Sequence, residues 1–82
     1  MDERRRKRSA IELALAEFRR TRGTAPIGAH VLRLEGDEAI VRVIYMTNHI
    51  PPDRAWFAVL RTGGAVRELG FEDVTGIESP WR

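Results

Sequence analysis

The chain has no cysteine, which excludes disulfides, thiolate nucleophiles and the usual zinc clusters. Histidine occurs only as His30 and His49, and no H-x-x-x-H or H-E-x-x-H spacing joins them. Neither a metal nor a cofactor is therefore expected. The two serines, Ser9 and Ser79, stand in no G-x-S-x-G context, and the glycines form no phosphate-cradling motif. Acidic neighbours occur at Asp37-Glu38 and Glu72-Asp73; on strands such neighbours point to opposite faces and make no paired-carboxylate site. No apolar run approaches the ~20 residues that cross a bilayer, so no membrane association is expected. Glu12 and Glu17 interrupt the stretch after the basic N-terminus and spoil it as a secretory h-region, so a cytoplasmic location is expected. Lysine appears once against 13 arginines, a skew expected of a GC-rich, bacterial genome.

What remains is an ordinary globular composition. The 82 residues are 43% hydrophobic and 32% charged, with a net charge of +2. That length serves one domain. Without disulfide or metal, it must be held by its own core or by a second copy of itself.

Ile11, Ala14, Leu15 and Phe18 recur at the spacing of one helical face, which predicts a helix over 9–22. Ser9 and Glu12 match a capping box, and Gly23 suits the position after the helix end. Residues 3–8 are good helix formers, but Arg4 to Arg8 are five adjacent like charges, so they read equally as a basic arm or as a helix extension. Thr24 to Gly28 reads as a linker, after which the period changes to two. Strands are expected at His30–Glu35 and Glu38–Thr47 around the turn Gly36-Asp37. Two more are expected at Ala55–Arg61 and Ala65–Asp73 around Gly63-Gly64, with the proline-containing segment 48–53 joining the hairpins. The expectation is an α+β domain over 9–82, one N-terminal helix packed on a four-stranded antiparallel meander in the order α-β-β-β-β.

In outline this order resembles the cystatin-like architecture, one helix gripped by a curved sheet. That resemblance implies either a small-ligand or enzyme domain, for which Tyr45 would be the candidate phenol, or a protease inhibitor. The inhibitor motif Q-x-V-x-G is absent, and Pro80-Trp81 lies at the end of the chain. The run α-β-β-β also resembles a double-stranded-RNA-binding domain, without that family's second long helix.

The strand faces carry the main functional expectation. Alignment on Gly36-Asp37 sets Leu32 opposite Val41 and Leu34 opposite Ala39. Alignment on Gly63-Gly64 sets Trp56 opposite Phe71 and Ala58 opposite Leu69. The helix is assigned the side holding Leu32, Leu34, Val41, Val43, Tyr45, Trp56, Leu60, Leu69 and Phe71. The other side would then expose Ile40, Ile44, Met46, Phe57 and Val59, bordered by Arg42, Arg61, Glu68 and Glu72. A clean one-sided sheet should alternate apolar with polar, and a patch of this size marks an interface. The expected function is thus a small non-enzymatic protein-interaction or adaptor domain. Its partner is itself, as a homodimer through Ile40, Arg42, Ile44, Met46, Phe57, Val59 and Glu68, or another protein. The alternative is that linker and tail, including Trp81, cover that face.

The second functional expectation rests on charge. Residues 1–22 hold eight basic and four acidic side chains, and residues 23–82 hold six and eight. Arg4, Arg5, Arg6, Lys7 and Arg8 could neutralise phosphates, which makes a nucleic-acid-binding module the alternative.

Overall fold

A computed structural model of the chain describes residues 3–47 and 52–77. His49, Ser79, Pro80 and Trp81 lie outside the described residues. The first element is helix α1, Glu3–Arg22, followed by strands β1 (Pro26–Glu35), β2 (Glu38–Tyr45), β3 (Asp53–Leu60) and β4 (Val66–Leu69), and a single turn of helix, α2 (Phe71–Val74). The strands lie side by side in the order β1-β2-β3-β4, each antiparallel to the next. The α+β meander with an N-terminal helix is as the hydrophobic periods require.

Helix α1 takes in the basic run, so residues 3–8 are its first turns. Ser9 is consequently an interior helical residue and not the cap that its spacing from Glu12 predicts. At the other end Gly23 adopts φ +67° and its N–H donates to the Arg19 carbonyl at 3.1 Å, closing the helix in the left-handed cap geometry. Ala10, Ala14 and Phe18 form the buried stripe, flanked by Ile11 and Leu15.

Beneath that stripe lie Ala39, Val41 and Val43 of β2 and Ala55, Phe57 and Val59 of β3. Phe57 is fully buried and Val59 is 2% exposed. The expected exposed patch is therefore corrected at its centre: Phe57 and Val59 face the helix, and Trp56, Leu60, Leu69 and Phe71 do not. The faces within the second hairpin are as aligned, but its register slips by two, to Trp56 opposite Leu69. The error lies in joining the hairpins. Pairing of Val41 with Phe57 and Arg42 with Trp56 puts the odd-numbered residues of both strands on one side, and nothing in segment 48–53 specifies that parity. Leu32 is also corrected. A bulge between Val31 and Arg33 turns it to the far face, whereas Leu34 pairs with Ala39 as predicted.

The far face is covered as well. β4 ends at Leu69, four residues short of the expected Asp73, and after Gly70 the backbone forms α2. Ile40, Ala58, Leu69 and Val74 make a second buried cluster, with Leu32, Trp56 and Ile77 against it. Apolar residues on both faces thus reflect two covering layers. Of the expected patch, Ile40 is buried in this second cluster, Arg42 and Ile44 are half-buried on the far face, and Met46 is 53% exposed just past β2. Glu68 sits on the helix side.

Candidate functional site: a groove with an arginine rim

The first turns of α1 cross the sheet at the end where both hairpin turns lie. Small residues meet there: Ala10 on the helix and Ala39 on β2. The shortfall in side-chain volume leaves an open groove of about 220 Å³. Ala10, Leu13, Leu34, Ala39 and Val59 make its apolar lining, and Arg5, Arg6, Ser9, Asp37 and Arg61 its polar border. The cavity is smaller than the ~300–1,000 Å³ of a drug-sized pocket. It suits one apolar side chain or a comparably small group.

The rim is tied together before anything binds. Arg6 donates through Nη2 to the Gly36 carbonyl at 2.8 Å, fastening α1 to the first turn. Asp37 fastens that turn to the second. Its carbonyl accepts from the Arg61 N–H at 2.8 Å, and its Oδ1 accepts from the Thr62 N–H at 3.2 Å and the Thr62 hydroxyl at 3.0 Å. The Arg61 Nε stands 3.7 Å from the same carboxylate oxygen. Three guanidinium groups thus face one carboxylate that is already engaged. Arg6 bonds a neutral carbonyl rather than a carboxylate, and Arg5 makes no hydrogen bond or ion pair among the described residues. The groove therefore favours an apolar group with negative charge beside it.

Among the described residues, Ser9 is the only hydroxyl lining the groove, and no imidazole lines it to act as its base. His30 lies on the exposed edge strand β1, and among the described residues no His, Cys, Asp and Glu group could hold a metal ion. No described helix is long and apolar enough to cross a membrane.

A second polar cluster lies at the opposite end of α1. Arg22 forks onto Glu68 with contacts of 2.6 and 3.1 Å. Its guanidinium lies 5.6 Å from the centroids of both the Phe18 and Tyr45 rings, which are 5.0 Å apart. The Glu68 fork, opposed by partial burial and helped by Tyr45, holds Arg22 further above its usual range, so it stays charged throughout. The Tyr45 hydroxyl donates to Asp53 at 3.3 Å. This cluster pins the helix end to β4 and explains Tyr45 and Glu68 as packing and clamp residues.

Of the sequence-predicted site residues, Arg5 and Arg6 are brought to the groove; Arg4, Lys7 and Arg8 stand exposed on the same helical turns. Ile40, Arg42 and Ile44 are on the far face, and Met46 adjoins it. Leu13 and Asp37 were not among the predicted site residues, and Arg61 was expected only at the border of the sheet-face patch. Their only shared signal is proximity of two turns to one helix, which no local pattern contains. No known protein family, curated protein or solved structure matches the chain.

Proposed function

We propose that the protein is a small interaction domain that grips a partner protein through the groove, taking an apolar side chain flanked by carboxylates. The observation that carries this reading is the apolar floor enclosed by Arg5, Arg6 and Arg61, with Asp37, the sole acid of the rim among the described residues, already bonded to Thr62. A single anchored side chain, with charged neighbours steering its approach, is a common economy of protein recognition. The pre-tied rim supports it further, because little order must be gained on binding.

The same arginines favour anionic partners generally, and nucleic acid is the competing class. Among the described residues, the groove lining offers no aromatic platform on which bases could stack. Its floor offers apolar contact that a phosphodiester chain does not use. A two-fold dimer across the far sheet face has lost its support, since Phe57, Val59 and Ile40 are enclosed within the fold.

The test is fluorescence polarisation with a labelled heptapeptide carrying one Phe among Glu and Asp residues. Saturable binding is expected, weakened at least ~10-fold by Arg61→Glu and by Leu13→Glu. Equal binding by both variants, or tighter binding of a single-stranded RNA that displaces the peptide, overturns the reading.

A further inference from the structure

The chain itself carries a segment with the chemistry the groove selects. Phe71 is 44% exposed although it is aromatic, and Glu72 and Asp73 beside it are both exposed. The segment is held in shape. Asp73 accepts from the Gly70 N–H at 2.8 Å and donates its own N–H to the Gly70 carbonyl at 3.0 Å, capping α2. Behind Phe71 stands Trp56, with ring centroids 5.7 Å apart, so the exposed part of Phe71 projects from a supported base. Glu72 makes no hydrogen bond or ion pair among the described residues.

An apolar anchor with two carboxylates therefore sits on one part of the molecule, and an apolar groove with three guanidinium groups on another. They cannot meet within one copy. The groove lies on the α1 side of the sheet, at the end where the turns Gly36-Asp37 and Arg61–Gly64 are. β4 runs away from that end, and α2 packs on the far face.

Resting on the groove reading, we infer that its occupant is a second copy of this chain, inserting Phe71 with the unengaged Glu72 carboxylate set against Arg5 and Arg61. The contact joins two different surfaces, so it is heterologous. Copies add head to tail, and every assembly leaves one groove and one α2 unfilled unless the chain closes into a ring.

Sedimentation equilibrium with two variants tests this. Arg61→Glu impairs the groove, and Glu72→Lys impairs the inserted segment. Both side chains are exposed, and circular dichroism checks that each variant folds. The native chain is expected to associate with a Kd on the order of 100 μM. Each variant alone should remain monomeric to at least roughly tenfold higher concentration. An equimolar mixture should regain association and stop at a pair, because only one complementary contact survives. Phe71→Ser gives an independent loss at the anchor. If the native chain stays monomeric while its groove still binds the acidic heptapeptide, the head-to-tail contact is overturned and the groove reading stands. If neither occurs, both fail. Association that survives in both variants, or a mixture that does not pair, also overturns the head-to-tail contact.

Discussion

Phe57 marks the difference between the two ways of laying the helix on this sheet. It is fully enclosed beneath α1, whereas Met46 is 53% exposed. Phe57→Ala should therefore lower the unfolding free energy by about 3–5 kcal/mol, and Met46→Ala by less than ~0.5 kcal/mol. Urea titration of both variants reads this directly, with the midpoint falling sharply for one and hardly at all for the other. Similar small losses would return Phe57 to a solvent face. Arg22 has a different worth. Its contact with Glu68 is well formed, but the two side chains remain 27% and 40% exposed, and solvent screens them. A double-mutant cycle with Arg22→Met and Glu68→Gln should give a coupling of about 1 kcal/mol.

At the scale of elements, what was legible follows from what is local. The helix announces itself through Ile11, Ala14, Leu15 and Phe18, and the first turn through Gly36-Asp37. Both depend on residues a few positions apart. The bulge at Leu32 and the pairing of Val41 with Phe57 depend on neighbours across the sheet, so equally apolar alternation on either side could not decide them. Helix α2 has only four residues, too few to show a period, and Phe71 to Asp73 therefore read as a continuation of β4. The groove combines Arg5, Asp37 and Arg61, which come together only when the helix axis is known. Charge alone singled out Arg5 and Arg6. Because one carboxylate closes α2, Asp73→Ala should cost about 1 kcal/mol. The loss should be local, with faster hydrogen exchange at Gly70 and Asp73 and unchanged protection under α1. Gly63 and Gly64 hold φ of +83° and +68°. Replacing either with alanine should cost roughly 1–2 kcal/mol through strain in the turn that carries Arg61.

For the whole molecule, association and stability are linked through mass action. A contact made only between folded copies raises the melting temperature as protein concentration rises. Head-to-tail joining through exposed charges adds a second dependence. The guanidinium and carboxylate groups of the contact are within reach of solvent ions, and the Debye length falls from about 10 Å at 0.1 M salt to about 3 Å at 1 M. The concentration-dependent rise in melting temperature should therefore be steep at low salt, shrink as salt is added, and vanish in Arg61→Glu at every salt concentration. A two-fold dimer held by an apolar sheet face makes opposite demands. Its mass would level off at twice the monomer, salt would leave it unchanged or strengthen it, and Arg61→Glu would not disturb it. Differential scanning calorimetry across a hundredfold range of protein concentration, at low and high salt, separates the two arrangements, because only the head-to-tail contact loses its concentration-dependent rise in melting temperature to salt and to Arg61→Glu.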